Sequence, residues 1–123
     1  MVKLTLKEKF AFHFIFSEKK TYYRWYGRFL SFGVEYERIK RVVNRISSWL
    51  QWCNEWTKEG NHLYNMAEEA LQNGYATKAR KLFHEAVGCY HIGQHIFFID
   101  STQKESTQEK ARKSYKKAIS LYD

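Results

Sequence analysis

A chain of 123 residues has room for one domain with a modest core, and is short for a stand-alone enzyme with a large substrate pocket. The absence of proline and the presence of only 6 glycines argue against a turn-rich sheet and for long helices. A formal charge of +8 raises nucleic acid or an anionic surface as partners, and an aromatic content of 18% exceeds what so small a core easily encloses, so some rings are expected to cover a partner.

Along the chain, Thr5 and Glu8 have capping-box spacing ahead of Phe10 and Phe14, which favours a short helix, although the dense Phe10 to Phe16 run also suits a strand. That run is too short and too interrupted by charge to span a membrane, and no small-residue cleavage site follows it, so a cytoplasmic protein is expected. Residues 18–32 are aromatic, with Tyr22, Tyr23, Trp25, Tyr26 and Phe29, and end near Gly33. Residues 1–33 therefore read as an aromatic N-terminal segment, and 34–123 as a helical bundle within the same single domain.

Residues 34–46 predict a helix with Ile39, Val42, Val43 and Ile46 on one face and Arg38, Arg41 and Arg45 on another. Ser48 and Gln51 have the spacing of a cap opening a long helix, whose stripe is Trp49, Trp52, Cys53, Trp56, Leu63, Ala67, Ala70 and Leu71 and whose stop is Gly74. Gly60 inside it permits close packing or a bend. Tyr75 or Thr77 opens a second long helix reaching about Ile99, with Ala79, Leu82, Phe83, Ala86, Tyr90 and Phe97 on one face. Residues 100–107 read as a polar loop, and Ser106 with Glu109 caps a last helix carrying Ala111, Tyr115, Ala118 and Tyr122. Short connections make neighbours antiparallel, so the expected fold is all-α, a bundle of helical hairpins. Leu63, Met66, Ala67 and Ala70, then Gly74, Ala79, Phe83 and Ala86, then Ala111, Tyr115 and Ala118 follow tetratricopeptide spacing, making the C-terminal half tetratricopeptide-like.

No set of catalytic residues accompanies these stripes. There is no Gly-x-Ser-x-Gly elbow and no triad, so a non-enzyme is expected. His91 and His95 share a helix face, with His84 two turns before and His62 on the preceding helix, but no third ligand stands at zinc spacing; no metal and no cofactor are expected. Cys53 and Cys89 lack paired spacing and read as buried free thiols. Glu55, Glu59, Glu68 and Glu69 read as exposed helix acids, and the Trp49, Trp52, Trp56 series as core. The basic residues fall in separated groups, including Arg38 to Arg45, Lys78 to Lys81 and Lys110 to Lys117, mostly opposite an apolar stripe as a solvated face would be. Dispersal of this kind and the lack of a recognisable motif disfavour nucleic acid.

Trp25, Tyr26 and Gly27, residues 33–39, Ser48 and Trp49 with Trp52 and Trp56, residues 67–74, and Ala79, Phe83, Ala86, Tyr90 and His91 together resemble the N-terminal helical domain of α/β-hydrolases of the 2,6-dihydroxypseudooxynicotine hydrolase type. The likeness runs over about residues 22–118 and consists of helices and aromatics, without a catalytic signature. It implies a cap module that shapes substrate access and supports dimerisation, with the catalytic residues in a domain that would follow. It also implies that Tyr90, His91 and His95, with Trp25 and Tyr26, face a cavity or a partner. The expected partners are thus an α/β-hydrolase catalytic domain or a second copy of the chain. An alternative is a tetratricopeptide-like adaptor with a concave surface on its last three helices, whose basic side chains receive an acidic protein or peptide. A small basic nucleic-acid-binding domain is the third reading.

Overall fold

The structure, a computed structural model, describes residues 27–94 and 100–122. The expected helix around Phe10 to Phe16, Trp25, Tyr26, His95, Phe97 and the side chain of Trp49 lie outside what is described. After a helical turn over 27–31, the chain forms α1 (Tyr36–Arg45), a 3-10 turn (Trp49–Gln51), α2 (Trp52–Gln72), α3 (Ala76–Gln94) and α4 (Ser101–Ser120). No strand occurs among the described residues, and the fold is an all-α bundle. No helix of the described residues is long and apolar enough to cross a membrane.

The ends of these helices follow from local chemistry. Ser48 Oγ accepts from the Leu50 N–H at 3.2 Å, and Gln51 Oε1 accepts from the Ser47 N–H at 3.0 Å, so the 3-10 turn leads straight into α2. Gly74, at φ 84°, closes α2: its N–H donates to the Leu71 carbonyl at 3.1 Å and the Tyr75 N–H to the Ala70 carbonyl at 2.8 Å. This is a Schellman stop, and the left-handed conformation it needs comes without strain only to a residue lacking Cβ. The chain reverses at once into α3.

The start of α4 corrects the sequence reading. Residues 101–107 are helical, because Asp100, with extended backbone, is the cap and its Oδ1 accepts from the Gln103 N–H at 3.1 Å. A carboxylate at the N-cap outranks the weaker Ser106 signal. Thr107 is buried, its hydroxyl 2.9 Å from Thr57 Oγ1 and donating to the Gln103 carbonyl at 3.0 Å.

Cross-contacts set the arrangement. Trp52 Nε1 donates to the Ile92 carbonyl at 2.9 Å, joining the start of α2 to the end of α3, and Ser114 Oγ donates to the Phe83 carbonyl at 2.8 Å. Helix α3 is thus antiparallel to both its neighbours, and α4 runs parallel to α2. The core has two parts. Phe29, Ile39, Val42, Trp52, Trp56, Leu63 and Tyr90 belong to a large aromatic and aliphatic cluster. Ala67, Ala70, Ala79, Phe83 and Ala118 form a smaller one, where short side chains let α2, α3 and α4 approach. The expected α4 stripe is corrected here as well: Ala111 and Ala118 are buried beside Thr107 and Ser114, while Tyr115 and Tyr122 are 51% and 53% exposed. The buried face of α4 is small and partly polar, made of Thr107, Ala111, Ser114 and Ala118.

Candidate functional site

Two charged regions flank α2, and they are built differently. On one side the arginine row of α1 meets carboxylates. Arg38 Nη1 lies 2.7 Å from Glu59 Oε1, Arg41 Nη2 3.3 Å from the same oxygen, and Arg45 Nη2 3.3 Å from Glu59 Oε2. Arg38 Nε reaches Glu85 Oε2 on α3 at 3.3 Å, Arg45 Nε reaches Glu55 Oε2 at 3.4 Å, and the Glu35 N–H donates to Glu85 Oε2 at 3.3 Å. Glu59 is buried, which corrects its reading as an exposed acid, and the arginine row is a clamp rather than a solvated face. Burial alone would raise the Glu59 carboxyl, but hydrogen bonds from Arg38 and Arg45 reverse that and hold it below the usual carboxylate range. Burial would likewise lower the Arg38 pKa, and Glu59 with Glu85 outweighs it, so Arg38 stays charged.

On the other side, where α2, α3 and α4 meet, lies a cleft of about 170 Å³ lined by Asn61, Tyr64, Tyr90, Lys110 and Lys113. Its depth depends on Gly60. A Cβ there would run into the Tyr90 ring, so only glycine lets Tyr90 lie across α2. From that position the Tyr90 hydroxyl donates to Asn61 Oδ1 at 2.7 Å. The Asn61 carbonyl oxygen is thereby engaged, leaving its NH₂ as a donor. Burial pushes the Tyr90 phenol well above its ordinary value, so it remains a donor at neutral pH. Lys113 and Lys117 stand over the Tyr64 ring, their Nζ atoms 5.7 Å and 5.4 Å from its centroid. Lys117 also pairs with Glu68 at 3.4 Å. The Tyr64 hydroxyl is near enough to hold the Lys117 amine above its usual value, yet it is buried and meets no partner at hydrogen-bonding geometry among the described residues. Among the described residues no acid lines the cleft.

A wider hollow, about 520 Å³, lies beside the α2–α3 turn between Gly74 and Lys81. Among the described residues its lining comes from that one stretch of chain, with no second element closing over it.

Of the residues singled out from sequence, Tyr90 lines the cleft. His91 does not; it lies 5.9 Å from the Phe32 ring, and partial burial lowers its pKa while it keeps contact with solvent. Trp25, Tyr26 and His95 fall outside the described residues. His84 sits on the outer face of α3 and α4, 3.2 Å from the Tyr122 hydroxyl, and His62 is exposed. Among the described residues no three His, Cys, Asp or Glu are placed to hold a metal ion. Cys53 and Cys89 are buried free thiols, and burial pushes Cys89 far above the ordinary thiol value, away from nucleophilic use. Asn61, Tyr64, Lys110 and Lys113 were not distinguished by sequence reasoning; the signal available was the Lys110, Lys113, Lys117 row at i, i+3, i+7 on one helix face.

Fold and site together define a small helical bundle with a cleft lined by two lysines, two tyrosines and an asparagine at the junction of three helices. Comparison with protein-family models, with curated proteins and with solved structures gives no match.

Proposed function

We propose that the chain is a helical interaction module, tetratricopeptide-like in construction, which receives a segment of a partner polypeptide along the face shared by α2 and α4. The carrying observation is the cleft of Asn61, Tyr64, Tyr90, Lys110 and Lys113, which a glycine opposite Tyr90 keeps open. Two parallel helices backed by an antiparallel third present a shallow trough, a geometry suited to an extended peptide. Among the described residues nothing in the cleft resembles an acid–base pair or an activated nucleophile, and binding is the reading its chemistry supports. The test is selection of binders from an unbiased random-peptide display library against the full chain, followed by mapping on its amide NMR spectrum. Competing peptides that all perturb Asn61, Tyr64 and Lys113 are expected; binders that map elsewhere, or none at all, count against the module.

A cap module, closed against a hydrolase domain or a second copy, is the second reading. It is favoured by Tyr115, Ile119 and Tyr122, which are half exposed on the outer face of α3 and α4. Light scattering separates the two: a stable dimer that Tyr115→Ser with Ile119→Ser dissolves supports the cap, and a monomer at high concentration argues against self-association.

A further inference from the structure

We infer that the cleft between α2 and α4 is a carboxylate site, which takes the side chains of an acidic peptide segment and in which Tyr90 positions Asn61 as a fixed donor. The inference rests on the interaction-module reading and adds the chemistry of the occupant. Its ground is that two ammoniums stand at the cleft beside an amide NH₂ and hydroxyls that can donate. The ammoniums of Lys110 and Lys113 have no acidic partner among the described residues. Asn61 Oδ1 accepts from the Tyr90 hydroxyl at 2.7 Å, which fixes the amide and leaves its NH₂ to donate. Tyr64 carries a buried hydroxyl with no hydrogen-bond partner among the described residues, which an incoming acceptor would satisfy. Two ammoniums beside these amide and hydroxyl groups disfavour a cation and favour a charged acceptor, an ionised carboxylate, over a neutral amide.

Size and surroundings favour a peptide over nucleic acid. The cleft, at about 170 Å³, admits a side-chain carboxylate and little more. The Tyr64 ring is already attended by two ammoniums, so it offers no platform on which a base could stack. Lys113 and Lys117 are spaced by about 6 Å along the helix axis at 1.5 Å per residue. That is close to the roughly 6.7 Å between alternate side chains of an extended peptide, so acids at alternate positions match the row, with the second exchanging with Glu68.

The experiment uses the full chain and an acetylated, amidated probe peptide, Glu-Ala-Glu-Ala-Glu, beside its Gln-Ala-Gln-Ala-Gln counterpart and a single-stranded oligonucleotide of matched charge. Expected are a saturable shift of the Asn61 side-chain NH₂ with the glutamate peptide and binding weaker by about tenfold or more for the glutamine peptide. Lys110→Ala with Lys113→Ala should weaken the glutamate peptide by about tenfold while leaving the amide spectrum folded. Tyr90→Phe should reduce the preference for glutamate over glutamine by about fivefold, the worth of one oriented hydrogen bond. A merely structural Tyr90 would weaken both peptides alike. Equal binding of the two peptides at Asn61 overturns the carboxylate site while leaving the interaction module standing. Oligonucleotide binding tighter than the glutamate peptide at the same residues, or no shift with any probe, overturns the inference outright.

Discussion

On one side of α2, Glu55 and Glu59 face the arginines of α1; on the other, Asn61 and Tyr64 face the lysines of α4. Both rows carry basic residues at helical spacing, and in sequence they look alike. The arginines are answered by carboxylates, two of them buried, and pair within the fold. Lys110 and Lys113 are answered by an aromatic ring and an amide, and their charge remains directed outward. Arginine suits the first role because its fork can engage two acids at once, as Arg38 does with Glu59 and Glu85. Lysine, a mobile point charge, suits the second. Basic residues at one spacing thus serve the fold or remain available to a partner according to what lies opposite.

The contrast can be broken most severely at Glu59. Glu59→Gln takes from Arg38, Arg41 and Arg45 the acid they share and leaves the partly buried Arg38 with Glu85, and is expected to destabilise the fold by about 3 kcal/mol, measured by urea unfolding. A loss below about 0.5 kcal/mol would mean that the clamp is a surface pair in effect. The same carboxyl sets an acid limit. Because its folded pKa lies below the ordinary 4.5, its contribution is fully present above that pH and is lost as pH falls through the folded value. Unfolding free energy should therefore drop below about pH 4.5, and the Gln variant should show a flatter acid limb.

Gly60→Ala attacks the cleft instead. The added methyl meets the Tyr90 ring and should cost about 2 kcal/mol by overpacking, read as a lower melting temperature. It should also shift the Asn61 side-chain resonance, since Tyr90 can no longer reach its oxygen. Lys110→Ala with Lys113→Ala should change stability by less than about 0.5 kcal/mol, in contrast to the arginine row. If that pair proves as destabilising as Glu59→Gln, the lysines are structural and the distinction between the two sides fails. The smallest expected effect is at His91: Phe32→Ala should return its imidazole titration toward the usual 6.5, followed by proton NMR.

Much of the architecture was legible because the apolar spacing was strong. Ile39, Val42 and Val43 on α1, and Leu63, Ala67, Ala79, Phe83 and Ala86 on α2 and α3, are buried as the 3.6-residue period requires. Gly74 was readable as a stop for the same local reason. The reading went astray where a competing local signal was stronger or where burial was polar. Asp100 took the cap assigned to Ser106, and α4 packs on Thr107, Ser114, Ala111 and Ala118 rather than on its tyrosines. Tyr90 was singled out through a resemblance and does line the cleft, yet its neighbour His91 points to another surface, since adjacent helical residues diverge by about 100°.

By itself the sequence determined the helices, most of their ends and the apolar faces, because those depend on residues within a turn or two of each other. Only the tertiary structure decided which charges are paired. Glu59 meets Arg38 across 21 residues, Arg38 meets Glu85 across 47 and Tyr90 meets Asn61 across 29. Electrostatic and hydrogen-bonding partners are chosen by how helices cross, and a helical period carries no information about the surface that will come to lie opposite.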